Sequence, residues 1–167
     1  MNIDAIFVMG VSGCGKTTAG SQLADRLGWR YKDADDFHSE ANIAKMSAAI
    51  PLNDEDRRPW LLAINDYCKS HPKTVLGCSA LKKQYRDILR NGIRCKFVFL
   101  DVSRKELERR LMERKNHYMP VSLLDSQLAT LERPDKGENV VAVHIEDEVP
   151  GDLIEIIVNQ LNKETSV

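Results

Sequence analysis

Two kinds of hydrophobic pattern alternate along the 167 residues of the chain. Ala5-Ile6-Phe7-Val8-Met9 is apolar at every position, the pattern of a strand covered on both faces. Ala19, Leu23 and Leu27 then share one helical face, Gln22, Asp25 and Arg26 point away from it, and Gly28 supplies the stop. Trp29 to Lys32 reads as a second strand. His38 to Ala48 reads as a helix that Pro51 prevents from continuing. Pro59, ahead of Trp60-Leu61-Leu62-Ala63-Ile64, suits the first turn of another helix, ending before His71-Pro72. Thr74 to Cys78 is a third strand, with a helix from about Lys82 to Arg90 and Gly92 beyond it. Lys96 to Asp101 is a fourth strand. Ser103-Arg104-Lys105-Glu106 has the form of a capping box and opens a helix through about Arg114. A helix over Leu123 to Leu131, a strand over Val140 to Ile145 and a last helix burying Ile154, Ile157, Val158 and Leu161 complete the chain. Strands alternating with helices predict an α/β fold: right-handed crossovers, a parallel sheet and helices on both faces. Functional groups in such folds gather outside the carboxyl ends of the strands.

Composition narrows the function. With 43% apolar residues and no repeat or linker, the chain is expected to form one domain, residues 1–167. Its 24 basic and 25 acidic residues give no general attraction to nucleic acid or to anionic membrane. The longest apolar runs fall far short of the roughly 20 residues that span a bilayer. The N-terminus lacks the basic start and small-residue cleavage site of a signal peptide, so a cytoplasmic chain is expected. Cys14, Cys68, Cys78 and Cys95 have no CxxC spacing, which argues against zinc or redox work. The last three read as small buried hydrophobes.

The chemistry is concentrated after the first strand. Gly10-Val11-Ser12-Gly13-Cys14-Gly15-Lys16-Thr17 matches the phosphate loop G-x-x-x-x-G-K-[ST] in full, with Thr18 following. Glycines let backbone N–H groups curl around an anion, and the helix that follows points its positive end at the same phosphates. Lys16 is placed to reach the β- and γ-phosphates of ATP and the Thr17 hydroxyl to ligate Mg²⁺. Cys14 is a tolerated small side chain in this loop, because phosphoryl transfer needs no nucleophile from it.

Asp33-Ala34-Asp35-Asp36 lies at the carboxyl end of the second strand, beside the loop. An extended backbone would project Asp33 and Asp35 to one side, Asp33 toward the magnesium shell and Asp35 toward an acceptor hydroxyl. Asp101, ending the fourth strand, competes with Asp33 for the metal.

The sequence resembles the gluconate kinases (gluconokinases). The resemblance rests on Asp33 to His38, Asn42 to Met46, Ile50 to Leu61, Cys78 to Lys82, Tyr85-Arg86, His117 to Pro120, Leu124 to Gln127 and Thr130 to Glu132. It implies a P-loop NTPase of the nucleoside-monophosphate-kinase-like type, with five parallel strands in the order 2-3-1-4-5, and often a homodimer. An acceptor-binding helical region at about residues 35–70 and a lid at about 114–133 belong to that expectation. So does ATP-dependent phosphorylation of gluconate; shikimate, a nucleotide or another sugar acid are the alternative acceptors. The chain departs from the family where Pro is common at Ser39, Gly at Ala49 and an aromatic at Leu128.

Gluconate carries one carboxylate and many hydroxyls. Arg57 offers a planar fork for the carboxylate, the competing reading being an ion pair with Asp54 or Asp56. His38, Lys45, Ser79 and Arg86 are further candidate contacts. Arg110 and Arg114 lie four apart on one helix face. By analogy with similar kinases, Arg110 stacks on adenine and Arg114 neutralises the transferred phosphate, the competing reading being a solvated basic face; His117 either touches the acceptor or packs the lid.

Overall fold

The computed structural model describes residues 2–113 and 121–165. Strand β1 (Ala5–Met9) runs through the centre of a five-stranded parallel sheet. Its neighbours are β3 (Thr74–Gly77) and β4 (Cys95–Val102); β2 (Arg30–Asp33) and β5 (Val140–Ile145) form the edges. The order β2-β3-β1-β4-β5 is the expected one.

The unbroken apolar run of β1 has a physical cause in this arrangement. Ile6 and Val8 point into a core shared with Leu23 of α1 (Lys16–Leu27) and with Ile157 and Leu161 of α7 (Leu153–Thr165). Ala5, Phe7 and Met9 point the other way. They meet Trp60, Leu61 and Ile64 of α3 (Asp54–Ser70) and Leu89 of α4 (Lys83–Arg90). A strand with helices on both faces has no polar side to show. Phe7 and Phe97 stack across the second core at 4.9 Å.

Leu107 of α5 (Arg104–Glu113) and Leu124 of α6 (Val121–Thr130) join the first core, and α2 (Glu40–Ser47) is tied to the start of α3 by Asn42 Nδ2, which donates to Asp56 O at 2.9 Å. No helix of the described residues is long and apolar enough to cross a membrane.

Three local expectations are revised. Helix α3 begins at Asp54, so Pro59 lies inside it rather than in its first turn. The start is set by a reciprocal capping box in which Asn53 receives the Asp56 N–H and Asp56 receives that of Asn53. Acidic Asp54, Glu55 and Asp56 also favour the positive helix end. Second, residues 34–37 form a 3₁₀ turn, and α2 starts only after Ser39, whose hydroxyl accepts the Asn42 N–H at 3.1 Å. Third, Ser103 caps α5 through Glu106 N at 3.2 Å, but its own N–H goes to Ile145 O. Glu106 turns instead to Arg109 and Arg110, so that box is half formed.

Candidate active site

The phosphate loop leaves β1 and enters α1 through backbone that side chains resist. Gly10, Gly13 and Gly15 have φ of 149°, 86° and 96°. A Cβ on Gly10 would stand 2.6 Å from Cys14 Sγ. Lys16 Nζ folds back to donate to Gly10 O at 2.9 Å and Val11 O at 3.1 Å. Cys14 is buried, and burial pushes its thiol above the usual range, which keeps it protonated and unreactive.

Beside the loop opens a cleft of about 610 Å³, with Lys16, Thr17, Asp33, Asp35, Trp60 and Ser79 on its walls. The two aspartates do not project together from an extended strand. Asp33 Oδ1 accepts the Asp35 N–H at 2.9 Å and thereby caps the 3₁₀ turn that carries Asp35. Trp60 pins that turn from below, donating Nε1–H to Ala34 O at 2.7 Å. Asp35 itself stays 86% exposed in the open cleft. The surrounding protein walls raise its carboxyl above the ordinary aspartate value, and the Asp33 charge adds to this; His38 and Lys16 pull the other way. His38 lies behind the wall, stacked on Trp60 at 4.3 Å with Nε2 3.9 Å from Asp35 Oδ1. Burial, followed by the Arg57 charge, lowers its pKa against the pull of Asp35.

Arg57 stands over the Tyr85 ring, donating to Leu52 O at 2.8 Å and Tyr85 Oη at 3.3 Å. It forms no ion pair among the described residues. Asp54 is occupied by Lys82, Gln84 and Tyr85, and Asp56 by Lys45 and Asn53. The alternative reading of Arg57 as a helix-start ion pair with Asp54 or Asp56 therefore drops out among the described residues.

Lys45 and Arg86 are corrections. Lys45 Nζ is held by both oxygens of Asp56, at 2.9 and 3.0 Å. Arg86 is fully buried: Nε and Nη2 reach Glu138, Nη1 donates to Ala80 O and Nη2 to Glu132 O. Its fork braces the loop after β3 from inside and has no face toward the cleft. Asp101, the rival metal ligand, pairs with Arg133 and His144 away from the loop.

Across the loop from the cleft, Arg110 donates to Gly13 O at 2.9 Å and Glu106 at 3.1 Å. With Thr18, Gln22, Leu100, Ile145 and Val149 it lines a second cavity of about 470 Å³. Arg109 and then Arg110 hold the Glu106 carboxyl down to about 2. Arg114 and His117 lie outside the described residues, as does the stretch 114–120 of the expected lid.

Two participants were not read from the sequence. Gln127 of α6 clasps Ser12 twice: its Oε1 accepts the Ser12 N–H at 2.6 Å and its Nε2 donates to Ser12 Oγ at 3.0 Å. Tyr31 of β2 reaches into the cleft wall. Gln127 ends the motif Leu124 to Gln127 and Tyr31 lies in the expected second strand, but their contacts were not legible there, since both act across long sequence separations.

The described residues hold no cluster of three or more His, Cys, Asp or Glu side chains able to bind a metal. The donors beside Lys16 are the Thr17 hydroxyl and the Asp33 carboxylate. Hard oxygens in small number suit Mg²⁺, which keeps much of its shell from water and substrate phosphate.

Known proteins resemble this chain over most of its length. A family model described as shikimate kinase matches residues 12–147. Gluconokinase from Gluconobacter oxydans is 49% identical over 143 residues, covering 83% of this chain and 80% of the relative. The crystal structure of a gluconokinase from Sinorhizobium meliloti superposes with a TM-score of 0.79 at 38% identity, covering 97% of each chain. An unliganded sugar kinase from Janibacter gives 0.82 at 40% identity, covering 96% of this chain and 95% of that one.

Proposed function

The chain belongs to the family that the shikimate kinase model describes and, within it, to the gluconokinases, and from that premise we propose that it transfers the γ-phosphoryl group of ATP to the 6-hydroxyl of D-gluconate. The bond from Pγ to the β–γ bridging oxygen breaks, a bond from Pγ to the gluconate oxygen forms, and ADP and 6-phosphogluconate leave. The observation that carries this reading is the meeting of an amide-lined phosphate loop with an acid, Asp35, across one cleft.

Roles follow from the chemistry of the groups. Lys16 exchanges its two carbonyl partners for the β- and γ-phosphates, which offer a stronger charge-assisted bond. The transition state of phosphoryl transfer is loose, so positioning and charge neutralisation supply most of the rate. Asp35 orients the attacking hydroxyl and accepts its proton, a contribution on the order of 10²-fold. Arg57 takes the gluconate carboxylate and Ser79 serves its hydroxyl groups, while His38 backs the wall behind Trp60. Adenine enters the second cavity beside Arg110. Thr17 and Asp33 would hold magnesium, which neutralises phosphate charge when bound with ATP. The balance of reduced, unpaired cysteines and an ATP-dependent reaction suits the cytoplasm.

The test is ADP release with gluconate or shikimate as acceptor. The parent protein is expected to turn over gluconate and leave shikimate near background, and Lys16→Met is expected to lose at least about 10²-fold. Gluconate giving no release above background, or Lys16→Met matching its parent, overturns the reading.

A further inference from the structure

Tyr31 crosses beneath the phosphate loop in a slot cleared for it. A Cβ on Gly20, in the middle of α1, would come within 2.6 Å of Tyr31 Cε2. One on Gly77, at the end of β3, would come within 2.6 Å of Tyr31 Oη. Glycine inside a helix weakens it, and neither position has the left-handed backbone that would otherwise call for glycine. Two elements have thus given up side chains to admit one aromatic ring and its hydroxyl.

That hydroxyl is buried without a hydrogen-bond partner among the described residues. A buried unpaired donor costs stability, and phenylalanine would fill the same slot without it. The surroundings point to what the group serves. The ring belongs to the same cleft wall as Lys16, Thr17 and Asp33.

We propose that Tyr31 is a positioning residue for the magnesium site: once nucleotide and Mg²⁺ are bound, its free hydroxyl donates to the Thr17 oxygen and would hold that oxygen for the cation. Thr17 has one proton to give and two lone pairs to offer. In the loaded site one lone pair would serve the cation and the other would take the Tyr31 proton. An outer partner of this kind orients the ligand and raises its basicity. The inference rests on the kinase reading above, but it concerns the nucleotide–metal half of the site alone.

The experiment compares the parent with Tyr31→Phe by titrating a non-hydrolysable ATP analogue in EDTA and in Mg²⁺, with thermal unfolding alongside. In EDTA the two proteins should bind the analogue within twofold of each other. The tightening produced by Mg²⁺ should be about tenfold smaller in the variant, the scale typical of outer partners of metal ligands. The melting temperature without ligand should hold or rise, because an unpaired buried hydroxyl has been removed. An undiminished Mg²⁺ effect overturns the proposal. A melting temperature lowered by several degrees also overturns it, because the hydroxyl would then have a structural partner. Since binding is read without acceptor, failure here is separable from failure of gluconate as substrate.

Discussion

Arg86→Met removes a guanidinium that the fold encloses completely and leaves its partner behind. Arg86 and Glu138 have side chains 0% and 2% exposed, 2.7 Å apart. Taking away one member of such a pair strands a buried charge and typically costs about 3–5 kcal/mol. Arg90 reaches Glu138 at 3.0 Å from a more exposed position and softens the loss, while the carbonyls of Ala80 and Glu132 lose their donors. The expected destabilisation is thus about 3 kcal/mol, or roughly 10 °C for a domain of this size. Urea denaturation and thermal unfolding measure it, and KM for gluconate is taken on the folded variant below its transition. The result that refutes the reasoning is a variant within about 1 kcal/mol of its parent with KM raised tenfold or more; Arg86 would then hold acceptor, as its place in the motif suggests. The pair also gives a pH signature. Arg86 holds the Glu138 carboxyl down from 4.5 to about 2 in the folded chain. Its contribution is therefore whole above pH 4.5 and drains away as pH falls toward 2. Glu138→Gln should lack that share of the acid-induced loss.

Further expectations concern the cleft and its rim. Asp35→Asn should lower kcat by about 10²-fold. In the parent, kcat/KM should fall as pH drops through a pKa above the ordinary aspartate value, a limb the Asn variant lacks. Because the raised carboxyl favours its protonated form when folded, its ionisation opposes folding near pH 7, and Asp35→Asn should melt no lower than the parent there. Ala49 sits at φ 58°, left-handed backbone that alanine adopts at a cost. Ala49→Gly should therefore raise stability by about 0.5 kcal/mol after glycine's greater unfolded freedom is counted, seen as a melting point about 1–2 °C higher. Gln127→Ala breaks both bonds to Ser12; it should cost about 1 kcal/mol and speed amide exchange at Ser12, and unchanged exchange would contradict the clasp.

Where cause and consequence lie within a few residues, the chain could be read directly. The apolar run of β1, the phosphate loop, Gly28 as the stop of α1 and the alternation of strand and helix were all legible, because each is a local pattern tied to one backbone geometry. The Asn53/Asp56 cap was equally local, yet Pro59 drew the start of α3 inward; a proline inside a helix misleads wherever the cap ahead of it is overlooked. Strand order came with the family resemblance, since no local pattern carries it. Lys45, Arg57 and Arg86 looked alike as cations near an acceptor, and only folding separated them. Asp56 took the first, the buried Glu138 took the third, and Arg57 has no ion pair among the described residues, where Asp54 and Asp56 are already engaged. The clasp of Gln127 on Ser12 and the slot cut for Tyr31 by Gly20 and Gly77 arose in the same way. Charge pairing and steric clearance are set by distance in space, and residues far apart in sequence come within that distance only once the sheet and its helices have packed.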